Sequence, residues 1–89
     1  MDLFIAIHKW KEEDQREVLK EAMNVFEAAD KGRYKGAKLV GTYSAYLEQP
    51  ISWCIWEADS EKVLHDILDK IPKVETQILP VVELYKSEH

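Results

Sequence analysis

An 89-residue chain that is 46% hydrophobic and 33% charged has room for one small globular domain, residues 1–89, near the size at which a single core only just suffices. Twelve basic against seventeen acidic residues leave a net charge of −5, which argues against nucleic acid or an anionic membrane as partner. One cysteine excludes an intrachain disulfide, and with three scattered histidines it makes no metal-ligand spacing, so neither a metal nor a cofactor is expected.

Residues 3–10 read as a strand, a short run of β-formers ended by Lys11-Glu12-Glu13-Asp14. Leu3, Ile5 and Ile7 form one aliphatic set, and Phe4, Ala6, His8 and Trp10 form a mixed one. The start Met1-Asp2, with its apolar run broken at His8, lacks the basic region and longer apolar stretch of a signal peptide, and nothing is long enough to span a bilayer. A cytoplasmic location is the expectation. A helix follows over residues 13–30, with Val18, Leu19, Ala22, Val25, Phe26 and Ala29 in one stripe and Asp14 with Glu17 as a capping box. It stops near Gly32.

The second strand covers residues 38–46, with Gly41 inside it as the mark of a bulge. Residues 47–50 turn the chain into a third strand, 51–58, whose two alternation sets both carry bulk: Ile51, Trp53 and Ile55 against Cys54, Trp56 and Ala58. Asp59 or Ser60 caps a second helix striped by Val63, Leu64, Ile67, Leu68 and Ile71 and ended by Pro72. A last strand spans residues 74–84. Pro80 lies inside it and cannot donate to a ladder, which assigns that strand to an edge or to a bulge.

The order βαββαβ predicts an α+β ferredoxin-like fold: a four-stranded antiparallel sheet, first and third strands central, two helices on one face. Leu3, Ile5 and Ile7 match the aliphatic helix stripes and are expected beneath them. Phe4, Ala6, His8 and Trp10, with Trp53, are then expected on the opposite face, under a second copy of the chain.

Four segments carry a resemblance. Leu3-Phe4-Ile5-Ala6-Ile7-His8-Lys9-Trp10, Lys38-Leu39-Val40-Gly41-Thr42-Tyr43, Ile55-Trp56-Glu57-Ala58-Asp59 and Leu79-Pro80-Val81 are similar to segments of a small prokaryotic domain-of-unknown-function family. That family resembles the dimeric α/β-barrel superfamily, in which two ferredoxin-like sheets pack face to face. The resemblance implies a homodimer. It selects no single activity, because the superfamily includes cofactor-independent monooxygenases, haem-handling enzymes, lactone isomerases and ligand-sensing domains. Glu48-Gln49-Pro50 stands where relatives often have glycines.

His8 is first a buried histidine hydrogen-bonded to Glu57 or a tyrosine, and second an acid/base. Glu57 is a surface or interface ion-pair partner, or a base. Trp10, Tyr43 and Trp53 are the candidate ligand-binding residues, although aromatic side chains at strand spacing, Tyr46 and Trp56 included, also fill cores and interfaces. Cys54 reads as an inert buried thiol, His65 as solvated and His89 as a tail residue. An RNA-recognition module shares the topology, but Ser52-Trp53-Cys54-Ile55-Trp56 lacks its basic residue. Acylphosphatase shares it too, without an arginine here in a phosphate loop near the first strand. The expected function is a homodimer that binds a small apolar molecule or another protein without catalysis. The alternative is a small cofactor-independent enzyme, monooxygenase- or isomerase-like, acting on an apolar or aromatic substrate through His8.

Overall fold

The computed structural model describes residues 1–45 and 49–88. The chain runs β1 (Asp2–Trp10), a 3₁₀ turn (Glu12–Asp14), α1 (Gln15–Asp30), β2 (Ala37–Ser44), β3 (Ile51–Ala58), α2 (Glu61–Leu68) and β4 (Val74–Val81). The strands form one antiparallel sheet in the order β2-β3-β1-β4, the ferredoxin-like arrangement. Pro80 lies opposite Phe4 in the outer strand β4, where a missing donor on the free side costs no ladder bond. Because β1 and β3 are paired on both sides, their amides should exchange slowest, in Leu3–Ile7 and Trp53–Trp56. Hydrogen exchange read by NMR tests this, and slowest exchange in β4 would contradict it.

Local chemistry sets the element ends. α1 closes in a Schellman motif: Gly32, at φ 70°, donates to Ala29 O (3.0 Å) and Arg33 to Ala28 O (3.1 Å). Ser60 caps α2 by accepting from the Val63 N–H at 3.3 Å. The expected capping box at α1 is absent, since Asp14 makes no side-chain cap bond. Its carboxylate and that of Glu17 turn instead to Lys73 Nζ, at 3.8 and 2.7 Å. That tie fastens the left-handed Lys73 (φ 59°), just before β4, to the start of α1. The bulge expected at Gly41 is present as a register shift between Leu39 and Gly41.

The two faces of β1 are the reverse of the expectation, whereas Trp53 lies on the open face as expected. Phe4, Ala6, His8 and Trp10 are buried beneath the helices with Cys54, Trp56 and Ala58, in one core with Val18, Leu64, Ile67 and Leu68. Leu3, Ile5 and Ile7 lie on the other side, beside Trp53 and Ile55. Two features explain the reversal. The alanines in the α1 stripe, Ala22 and Ala29, leave depth for aromatic rings beneath the helix. His8 needs no help from the helices, because neighbouring strands supply both its hydrogen-bond partners.

Candidate functional site

Between α1 and the sheet lies a cavity of about 150 Å³. Val18, Ala22 and Phe26 of α1 form its roof, Trp10, Ile71 and Val74 one wall, and His8, Thr42, Ser44 and Ser52 its polar side. Leu19 and Met23 also border it and are 41% and 52% exposed, so they mark a mouth along the outer edge of α1.

The polar side is a product of register. Thr76 of β4, His8 of β1, Ser52 of β3 and Ser44 of β2 stand directly opposite one another across the sheet. Side chains that share a cross-strand row share a face, and this row faces α1. The next row, Ile78, Ala6, Cys54 and Thr42, faces the same way.

His8 is the centre of these rows. Its Nδ1 lies 3.0 Å from Thr76 Oγ1 and its Nε2 3.2 Å from Cys54 Sγ, and Cys54 Sγ lies 3.5 Å from Thr42 Oγ1. Either neutral tautomer completes the chain: a thiol donating to Nε2 leaves Nδ1–H for Thr76, and the opposite polarity runs from the Thr76 hydroxyl. Burial holds the His8 pKa down at about 4 and pushes the Cys54 thiol up to about 11, against smaller opposing effects of Thr42 and Trp56. At neutral pH both groups are therefore uncharged, and the pair forms no thiolate–imidazolium couple. Among the described residues Trp56 Nε1 is buried without a hydrogen-bond partner, whereas Trp10 Nε1 donates to Gln15 Oε1 at 3.3 Å.

The candidate residues separate. His8 and Trp10 border the cavity. Tyr43 and Trp53 face each other across β2 and β3 on the open side of the sheet, so these three aromatic residues line no common pocket. Glu57 is exposed opposite Leu3 and Lys38, also on that open side, and does not meet His8. The partners expected for His8, Glu57 or a tyrosine, are replaced by Thr76 and Cys54. Tyr46 and His89 lie outside the described residues. His65 is partly exposed and meets Glu61 at 3.5 Å. The residues missed from sequence are Thr42, Ser44, Ser52 and Thr76. Their signal was polarity recurring at one alternation parity: Thr42 with Ser44, and Ser52 with Cys54. Among the described residues no cluster of three metal-ligating side chains occurs, and no helix is long and apolar enough to cross a membrane.

Neither a family model nor a curated protein matches the chain. Solved structures do. A dimeric ferredoxin-like protein from an uncultured marine organism superposes with a TM-score of 0.56 at 15% identity, over 100% of both chains. The protein Atu4242 from Agrobacterium tumefaciens gives 0.53 at 18% identity, over 94% of this chain and 96% of its own. A putative antibiotic biosynthesis monooxygenase from Caulobacter crescentus gives 0.53 at 12% identity, over 92% of each. The likeness is one of fold. At these identities it carries the ferredoxin-like architecture and no activity.

Proposed function

We propose that this protein is a homodimer that binds a small, apolar molecule in the cavity beneath α1 and performs no chemistry on it. The observation that carries the reading is the state of His8. It borders the cavity, yet both its ring nitrogens are engaged and burial keeps it neutral, so it has neither a free lone pair nor the basicity of a useful proton acceptor. Among the described residues, no acidic or basic side chain other than His8 lines the space. An apolar cavity of roughly 150 Å³ accepts a benzene-sized guest, and the mouth at Leu19 and Met23 leaves room for a longer one.

The dimer reading is supported by the open face. Ile5, Ile7, Trp53 and Ile55 form its centre, Tyr43 and Leu79 its flanks, and neither helix covers them. Covering such side chains stabilises by roughly 1.5–3 kcal/mol each, and the marine neighbour is itself described as dimeric. A reducing, cytoplasmic setting fits the free Cys54 thiol.

The enzyme reading draws support from the Caulobacter neighbour's description and from the closeness of His8 to the cavity. It requires a proton acceptor that this His8 does not provide.

Toluene followed by amide chemical shifts tests the site. Shifts are expected at Val18, Ala22 and Val74, and Ala22→Phe, which fills the cavity, should weaken binding at least about tenfold while the spectrum stays folded. Undiminished binding to Ala22→Phe would remove the cavity as the site.

A further inference from the structure

The apolar stripe of α1 is wider than its contact with the sheet. Val18, Ala22 and Val25 are buried in the core, whereas Leu19 and Met23, one helical turn apart, are 41% and 52% exposed. Both still border the cavity. On the sheet side Thr42 and Ser44 of β2 border it too and are exposed, so the space opens to solvent between α1 and β2. Its inner walls, Trp10, Val18 and Ile71, are buried. The cavity is thus closed within the core and open at a lip that is apolar on the helix side. The neighbouring α1 residues Lys20, Asn24 and Glu27 are exposed and polar, as the solvent side of a helix ordinarily is. Leu19 and Met23 depart from that pattern where the cavity opens. The proposed second copy sits on the opposite face of the sheet and leaves this lip uncovered.

We propose that the ligand is elongated: one apolar end fills the cavity, an apolar chain continues out over Leu19 and Met23, and these two residues carry the affinity for that chain. The inference rests on the cavity being the binding site. A benzene-sized guest occupies the cavity of about 150 Å³ and leaves both lip residues exposed. Each further methylene that lies against them leaves water together with the surface it covers, so affinity grows with chain length across the lip. Leu19 and Met23 are separated by about 6 Å along the helix axis, the length of a short alkyl chain. The unbranched thioether of Met23 can follow such a chain as it leaves the cavity. The ligand class is therefore an alkyl or alkylaryl molecule and not a compact ring system.

Toluene and butylbenzene share a ring and differ only in chain length, which separates the lip from the cavity. Their dissociation constants are measured by NMR titration for the natural chain and for a Leu19→Ser, Met23→Ser double variant. In the natural chain butylbenzene should bind at least about eightfold more tightly than toluene, roughly twofold or more for each added methylene. Intermolecular NOEs from bound butylbenzene should reach both Val18, inside the cavity, and Met23, at the lip. The variant should keep a folded spectrum, because neither residue belongs to the buried core. Its ratio of the two dissociation constants should fall to within about twofold, whatever the absolute affinities. Equal or weaker binding of butylbenzene to the natural chain overturns the elongated ligand and leaves a benzene-sized site standing. A ratio unchanged in the variant, or NOEs that miss Met23, overturns the role of the lip. Failure of both molecules to shift the cavity amides overturns the binding reading, and this proposal with it.

Discussion

Replacing Ile55 with lysine should turn a dimer into a monomer without unfolding the chain. Ile55 lies in the middle of the open face, paired with Ile5 on one side and Gly41 on the other. It is not part of the core beneath the helices, which holds Cys54 and Trp56 from the same strand. A lysine there stays solvated in a monomer, so the ferredoxin-like unit survives. In a dimer closed over this face, each copy would bury an ammonium among Ile5, Ile7 and Trp53 with no partner, and an isolated buried charge costs several kcal/mol. The dissociation constant should rise by at least about 100-fold, equivalent to roughly 3 kcal/mol. Light scattering over a dilution series should find the natural chain dimeric at micromolar concentration and the variant monomeric. The thermal midpoint of the natural chain should rise with its concentration, and that of the variant should not. A natural chain that is monomeric throughout would remove the dimer.

Acid should destabilise the fold through His8. Its folded pKa, about 4, lies below the ordinary 6.5, so between these values the unfolded chain binds the proton and the folded chain does not. Stability therefore rises with pH across this window. The contribution of the neutral imidazole is complete above about pH 6.5, is lost progressively as pH falls, and levels off below about 4. The depth of the loss is about 3 kcal/mol. His8→Gln should lack this step, and other acid-titrating groups are common to both proteins, so the difference between their stability profiles isolates the histidine. Urea unfolding at half-unit pH intervals measures it. Parallel profiles would show that His8 is not the neutral, buried group described above. Lower stability of His8→Gln at pH 7 is also expected, because Thr76 and Cys54 each lose their partner.

Much of the architecture was legible without coordinates. Two strands apolar on both sides belong in the middle of a sheet. A proline inside the last run, Pro80, belongs on its edge, and Gly41 marks the bulge. Gly32 and Ser60 are terminus signals whose chemistry works within a few residues, so they read correctly in isolation. Asp14 and Glu17 show where local reading stops. They have the spacing of a capping box, but a lysine more than fifty residues away competes for the same carboxylates.

The candidate site was legible only in part. His8 and Trp10 were identified and do border the cavity, whereas Tyr43, Trp53 and Glu57 belong to the opposite face. Residue order determined the elements, their ends, the central strands and the two alternating sets of each strand. Tertiary structure decided which set faces the helices. Alternation has a period of two and is unchanged when the faces are exchanged, so nothing within a strand distinguishes inside from outside. Aliphatic likeness favoured Leu3, Ile5 and Ile7 beneath the helices. The decision went the other way through contacts between distant residues: His8 with Thr76, 68 positions away, and with Cys54, 46 away. A buried imidazole takes the side on which both its nitrogens are satisfied, and the strands that satisfy them become its neighbours only when the sheet has formed.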